Sequence, residues 1–362
     1  MGLSLQSIDK IVGREIHLKE INVELSPGSR NVLLGRTLAG KTSLLRILAG
    51  LDRPTQGRIL IDDRDVTGVS VRKRNVAMVY QQFINYPSLK VYDNIASPLK
   101  LAGMDRAEID RRVKRTAGML HLEGLLDRLP SELSGGQQQR TAIARALVKD
   151  TELLLLDEPL VNLDYKLREE LRIELQEIFQ RREAIVVYTT TEPAEALMLG
   201  GNVIVMDEGR ILQMGPTPEV YRRPVSLRTA EIFSDPPINF IKGRVHEQQV
   251  HLGGGIRWPL NGHMAHLAPG EYTFAVRCNH LLLKSSSADD LQIKATVELC
   301  EINGSETFVH VEFENTRMVV QYSGVHSVKI GREIVVHVNP CHFFAYNAEG
   351  ELAAAPEQAC YG

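Results

Sequence analysis

From the first residue to about residue 235, short β-branched or leucine-rich runs alternate with longer stretches whose apolar positions recur at helical spacing. Val32–Gly35, Val76–Tyr80, Leu153–Asp157, Ala184–Tyr188 and Val203–Met206 are near-continuous apolar runs and predict strands of a largely buried sheet. Lys41–Ala49, Asp105–Leu120, Arg140–Lys149 and Tyr165–Arg182 interleave charged and apolar positions and predict helices. Strand and helix in alternation predict an α/β architecture. At Ser234-Asp235-Pro236-Pro237 the pattern changes, because two prolines end any helix and the segments beyond are short, β-rich and punctuated by glycine. Tyr272–Val276, Thr296–Leu299, Phe308–Phe313, Met318–Tyr322 and Glu333–Val338 are the strands expected there. The pattern therefore predicts an α/β domain over residues 1–235 and a small all-β barrel or sandwich, OB-like, over residues 236–362.

Composition narrows the reading. A chain of 362 residues suits two domains, since compact domains run about 100–200 residues. A hydrophobic fraction of 43% with 24% charged residues describes a chain that buries a core. The net charge of −3 provides no general basic surface for a polyanion, so nucleic acid is not an expected partner. Cys278, Cys300, Cys341 and Cys360 fall in the last quarter without metal-ligand spacing, which suits a reducing compartment. The N-terminus lacks a basic start followed by an apolar core, and no run reaches the roughly 20 apolar residues of a membrane span. Gln6 stands where a myristoylation signal needs a hydroxyl. The expectation is a soluble chain without a lipid anchor.

The candidate chemistry begins at Gly35-Arg36-Thr37-Leu38-Ala39-Gly40-Lys41-Thr42-Ser43, which satisfies GxxxxGK[ST] between a predicted strand and a predicted helix. Backbone N–H groups in such a loop, at the positive end of a helix, can wrap a polyphosphate. Lys41 would place its charge on the β and γ oxygens, and Thr42 would be a Mg²⁺ ligand, so ATP and Mg²⁺ are the expected cofactors. The alternative is a strand-to-helix turn with no ligand. Leu153-Leu154-Leu155-Leu156-Asp157-Glu158-Pro159 is an apolar strand delivering two carboxylates at its C-terminal end, where open α/β sheets bind ligands. Asp157 would hold Mg²⁺, and Glu158 would polarise the water that attacks the γ-phosphate.

Leu133-Ser134-Gly135-Gly136-Gln137-Gln138-Gln139-Arg140, upstream of that strand, resembles the LSGGQ signature of ABC ATPases. Ser134, Gly135 and Gly136 precede a helix expected to start near Gln137, a second anion site at a helix N-terminus. In the family this turn reaches the γ-phosphate held by the other subunit. Gln81 resembles the Q-loop glutamine, a metal-site and catalytic position, and Val161-Asn162-Leu163-Asp164 resembles the D-loop. The resemblance extends to the β-rich end, where Phe233–Phe240, Val276–His280 and Asn303–Thr307 look like the TOBE-type regulatory domain of maltose-type carbohydrate importers. Tyr80–Pro87 with Thr190-Thr191-Glu192-Pro193 looks most like the ATPases of bacterial glycerol importers.

The resemblance implies a peripheral ATPase on the cytoplasmic face of the bacterial inner membrane. It implies two membrane-spanning permease subunits contacted through Phe83–Tyr92, and a periplasmic or extracellular binding protein met indirectly. Phe83 and Tyr86 are expected at that contact, although Phe83, Tyr86 and Tyr92 also suit a core. Arg277, His280 and Glu306 are polar candidates for a regulatory surface, with ordinary solvated residues as the other reading.

Three departures bear on mechanism. Thr191 stands where the family carries its switch histidine, Val12 where it stacks an aromatic on adenine, and Arg36 and Leu38 where its loop has proline and glycine. Threonine donates one hydrogen bond but carries no charge. Valine has no π face, and leucine resists positive φ. These losses fall on the Walker side while Ser134–Gln137 is intact. The asymmetry implies a heterodimer with a second, complete ATPase chain; a homodimer and a largely non-hydrolytic regulatory subunit are the alternatives.

Overall fold

The computed structural model describes residues 1–161, 163–180, 183–357 and 360. It divides into two compact units, Met1–Thr217 and Pro218–Gly362.

In the first unit the elements in chain order are β1 (Leu3–Val12), β2 (Glu15–Leu25), β3 (Arg30–Gly35), α1 (Lys41–Ala49), β4 (Gln56–Ile61), β5 (Arg64–Asp65) and β6 (Val76–Val79). There follow α2 (Val91–Leu101), α3 (Arg106–Met119), α4 (Gly135–Leu147), β7 (Leu153–Asp157), α5 (Tyr165–Gln180), β8 (Ile185–Thr190), α6 (Pro193–Leu199), β9 (Asn202–Asp207) and β10 (Arg210–Pro216). Helix α7 (Thr217–Arg222) begins at the division between the units.

The apolar runs form one six-stranded sheet in the order β10-β9-β3-β8-β7-β6. Strands β9, β3, β8, β7 and β6 pair in parallel and β10 adds an antiparallel edge. Every residue of β7 and β8 is buried, as expected for strands covered on both faces. An antiparallel sheet, β2-β1-β4-β5, forms a second layer. Helix α1 joins the two layers: Leu44, Leu45 and Ile47 share one core with Leu5 and Ile21 of the antiparallel sheet and Leu33, Leu155 and Val187 of the parallel one. Residues of β1 and β2 alternate with exposed polar positions, so the pattern of a wholly buried sheet does not find them. Helices α2, α3 and α4 pack together beside this core.

The second unit carries α8 (Leu227–Ile232), β11 (Asn239–His246), β12 (Gln249–Leu252), β13 (Arg257–Pro259), β14 (Gly270–Val276), β15 (Leu291–Asn303), β16 (Glu306–Phe313), β17 (Thr316–Ser323), β18 (Glu333–Val338), β19 (Phe344–Tyr346) and β20 (Leu352–Ala354). Its two antiparallel sheets, β13-β12-β11-β14-β19-β20 and β17-β16-β15-β18, enclose a shared core that includes Ile241, Val250, Trp258, Phe274, Ile293, Val309 and Val336. Asn239 links the sheets, accepting from Val319 N–H at 2.6 Å and donating to Val319 O at 2.9 Å.

The division lies upstream of residue 235 because the segment before the prolines is tied to the β-rich part. Arg277 donates to Tyr221 O at 2.8 Å, Phe233 O at 3.1 Å and Ser234 Oγ at 2.7 Å, and its guanidinium lies 3.6 Å from the Tyr221 ring centroid. Tyr346 Oη donates to Pro224 O at 3.3 Å. A segment that ends a helix in the sequence therefore begins a domain in space. Arg277 is 4% exposed, so it is a buried tie and not a surface residue. His280 is half-buried and stacks on His342 with ring centroids 3.9 Å apart, and Glu306 accepts from Gln321 Nε2 at 2.7 Å.

Candidate functional site

Strand β3 ends at Gly35, where the backbone runs so close to its neighbours that a Cβ would lie 2.5 Å from Met206 O and 2.9 Å from Ala39 Cβ. Gly40 takes φ 98 immediately before α1, and a Cβ there would meet His17 O at 2.7 Å. These two glycines let the chain reverse and start a helix. Leu38 adopts φ 69 and is 95% exposed, so the loop enters the left-handed region even without glycine. That conformation costs leucine about 1–2 kcal/mol. Ala39 is buried beneath the loop. Arg36 and Thr37 are exposed, and Ser43 Oγ lies 3.2 Å from His17 Nδ1.

Lys41, 4% exposed, donates to Gly35 O at 2.7 Å and Arg36 O at 3.1 Å, and its ammonium lies 3.1 Å from Glu158 Oε1. Thr42 Oγ1 donates to Asp157 Oδ1 at 3.1 Å. Gln81 Nε2 donates to Glu158 Oε2 at 3.2 Å. Lys41, Thr42 and Gln81 thus converge on the two acids at the C-terminal end of β7. Thr189 of β8 completes the group: its hydroxyl donates to Asp157 Oδ1 at 2.9 Å and accepts from Glu158 N–H at 2.9 Å. Burial holds the Asp157 carboxyl above its usual range, opposed by the Thr189 and Thr42 hydrogen bonds and raised further by the neighbouring Glu158.

The turn expected to be a second anion site lies on a different helix. Ser134 caps α4, its Oγ accepting from Gln137 N–H at 3.3 Å while Gln137 Oε1 accepts from Ser134 N–H at 3.0 Å. The helix therefore starts at Gly135, two residues before the position expected from the sequence, because this reciprocal box places Gln137 at its third position. Gly136 is packed so tightly that a Cβ would lie 2.8 Å from Leu167 Cδ1, whereas Gly135 faces open space. Asp164 caps α5 by accepting from Leu167 N–H at 3.0 Å. Asn162, in the same segment, and Arg182, at the end of the expected helix, lie outside the described residues.

Val12 ends β1 at an exposed hairpin, paired with Glu15 and next to Ile11 and Ile16. Thr191 is exposed just beyond β8. In Phe83–Tyr92, Phe83 is half-buried while Ile84 and Tyr86 are 58% and 46% exposed. Asn94, unmarked in the sequence, braces that segment: it accepts from Tyr86 N–H at 2.7 Å and donates to Tyr86 O, Leu89 O and Lys90 O. Arg145 donates to Ile84 O at 2.5 Å and lies over the Tyr86 ring. Thr189 carried one sequence signal, a polar end on an apolar strand. A cleft of about 970 Å³ bounded by α3 and α5, lined by Arg111, Arg115, His121 and Glu174 among others, is separate from these groups.

Strand, phosphate loop and helix beside an acidic strand end define a P-loop nucleotide-binding domain followed by a β-domain. A family model for ABC transporter matches residues 18–161 and one for the TOBE domain residues 274–345. Two relatives, the sn-glycerol-3-phosphate import ATP-binding proteins UgpC of Shigella boydii serotype 4 and Escherichia coli K12, are each 37% identical over 348 residues, covering 95% of this chain and 97% of theirs. The solved dimeric cassette MJ0796 in a post-hydrolysis state with ADP and Pi is 29% identical with a TM-score of 0.54, covering 59% of this chain and 98% of that one. The chain belongs to the ATP-binding subunits of ABC transporters, and it is an ATPase with a C-terminal TOBE domain.

Proposed function

We propose that this ATPase powers import of a small polyol or carbohydrate, with glycerol as the substrate, through separate membrane-spanning subunits. The observation that carries the reading is the convergence of Lys41 and Gln81 on Glu158, beside the Thr42–Asp157 contact. The UgpC relatives are named for import of sn-glycerol-3-phosphate, the phosphate ester of glycerol.

The backbone N–H groups of Arg36–Ser43 hold the phosphates at the start of α1. Lys41 exchanges the Gly35 and Arg36 carbonyls for phosphate oxygens. Glu158 orients the attacking water and takes up its proton density, and Gln81 steers the Glu158 carboxylate. Thr42 and Asp157 offer hard oxygen donors 3.1 Å apart, a set that fits Mg²⁺. When bound, Mg²⁺ supplies charge neutralisation on the phosphates.

Ser134–Gln137 of each chain completes the partner's site. Thr191, Val12 and Leu38 weaken this chain's own Walker side, so the working dimer pairs it with a second, different ATPase. Within Phe83–Tyr92, Tyr86 and, in place of the half-buried Phe83 expected from the sequence, Ile84 are exposed on a braced segment and contact the permease subunits. No helix among the described residues is long and apolar enough to cross a membrane; a peripheral position on the cytoplasmic face fits the reading, with the binding protein reached only through the permease.

Native mass of the importer from its source membrane, with each ATPase identified by peptide sequencing, tests the pairing: one copy beside a different ATPase supports it, and two copies overturn it. Uptake of labelled glycerol by the Glu158→Gln importer tests the chemistry. Loss of uptake with ATP still bound supports the hydrolytic role; unchanged uptake assigns this chain to the regulatory, non-hydrolytic alternative.

A further inference from the structure

Strand β8 runs as Ile185-Val186-Val187-Tyr188 and then turns polar at Thr189 and Thr190 while still wholly buried. Parallel pairing with β7 sets Thr189 directly beside Asp157. Its side chain is 0% exposed, so a hydroxyl there must find partners inside the protein. It finds two on successive residues of the neighbouring strand, the Asp157 carboxylate and the Glu158 N–H, each at 2.9 Å. A hydroxyl has one proton to donate and lone pairs to accept with, so a single oxygen ties the side chain of one acid to the backbone of the next.

That second tie bears on conformation. Glu158 takes φ 43, a region a side-chain-bearing residue holds only when its surroundings enforce it. The hydrogen bond from its N–H to Thr189 fixes the peptide plane that enters this residue, whose carboxylate meets Lys41 and Gln81. Thr42 approaches the same Asp157 oxygen from α1 at 3.1 Å, so Oδ1 is fixed from two sides. Thr191, exposed beyond the strand end, makes no comparable bridge among the described hydrogen bonds.

We infer that Thr189 is a positioning residue that locks Asp157 and Glu158 relative to one another and thereby sets both the metal-facing carboxylate and the water-facing one. The inference rests on the proposed roles of Asp157 and Glu158 and goes beyond them by assigning their mutual geometry to a hydroxyl on the adjacent strand. Supporting hydrogen bonds of this kind change metal affinity or activity by about 10–100-fold when removed.

The test compares Thr189→Val, Thr189→Ser and Glu158→Gln in the assembled importer with the Walker lysine of the second ATPase substituted, so that turnover reports this chain's own site. It reads kcat and KM for ATP, and separately the Mg²⁺ concentration that half-saturates the thermal shift caused by ATP. Thr189→Val is expected to lower kcat about 10–100-fold with KM changed less than about threefold, and to raise the Mg²⁺ half-saturation about tenfold. Thr189→Ser keeps the hydroxyl and is expected to restore both values to within about threefold of the parent. If Thr189→Val does not fold, Thr189→Ala removes the hydroxyl without adding bulk and takes its place. The inference is overturned if the valine or alanine variant matches the parent in both readouts, or if serine is as impaired as valine, which would make the role one of packing. Glu158→Gln is expected to abolish turnover while leaving the Mg²⁺ half-saturation in place. Parent-like hydrolysis by that variant would overturn the role of Glu158 itself and the inference with it, a result distinct from a silent Thr189→Val.

Discussion

The ammonium of Lys41 lies 3.1 Å from the carboxylate of Glu158, with the two side chains 4% and 16% exposed. The pair sets a cation against a carboxylate beside the phosphate loop. An incoming triphosphate competes with Glu158 for Lys41 and brings negative charge beside it.

This relationship predicts opposite effects on ATP affinity. Lys41→Met removes the cation and should weaken ATP binding and lower turnover by at least about 100-fold. Glu158→Gln removes the competing charge and should tighten ATP binding about three- to tenfold, since like-charge relief of about 1 kcal/mol is worth that factor. Equilibrium titration with a fluorescent ATP analogue checks both; equal affinity in parent and Glu158→Gln protein would mean that the ion pair does not compete with the phosphates.

Thr191 offers a gain-of-function prediction. A neutral hydroxyl just past β8 has neither the reach nor the charge of an imidazole. Thr191→His should raise ATP turnover at this chain's own site by about tenfold or more, up to the roughly 10²–10³ that one well-placed donor contributes elsewhere. Phosphate-release assays on the assembled importer measure it.

Arg277 predicts where the second unit is fragile. Its guanidinium makes three hydrogen bonds to Tyr221, Phe233 and Ser234 and lies over the Tyr221 ring. Arg277→Ala should destabilise that unit by about 2–4 kcal/mol, and Arg277→Lys, which cannot fork, should recover only part. Trp258 is the chain's one tryptophan and lies in the core of this unit. Its fluorescence during denaturant unfolding reports the unit by itself.

The stacked pair His280 and His342 predicts a pH dependence. Burial pushes the His280 imidazole down to about 4 from its ordinary 6.5, helped by His342 and Arg277, and burial lowers His342 as well. The folded unit therefore binds fewer protons than the unfolded chain below pH 6.5. Its stability is complete above that value and falls as the pH drops towards 4, by an amount on the order of 3 kcal/mol for His280. Trp258-monitored unfolding between pH 7 and 4 should show the decline, and His280→Gln should flatten it.

The sequence alone determined which segments carry the chemistry. GxxxxGK[ST] and a leucine strand ending in two acids are local constraints: each requires a particular residue type for backbone approach or charge, so each is legible in order along the chain. Buried parallel strands were legible for a similar reason, being apolar on both faces. What only the tertiary structure decided is which groups meet across elements. Lys41 and Glu158 are 3.1 Å apart although α1 and β7 are distant in sequence. Thr189 meets both acids because the parallel register of β7 and β8 sets it there. Arg277 draws the helical segment before the prolines into the β-domain, so the division falls at Thr217 and Pro218. Pairings of this kind depend on strand order and register, which arise from the packing of the whole core, and a linear pattern of polar and apolar residues holds no record of them.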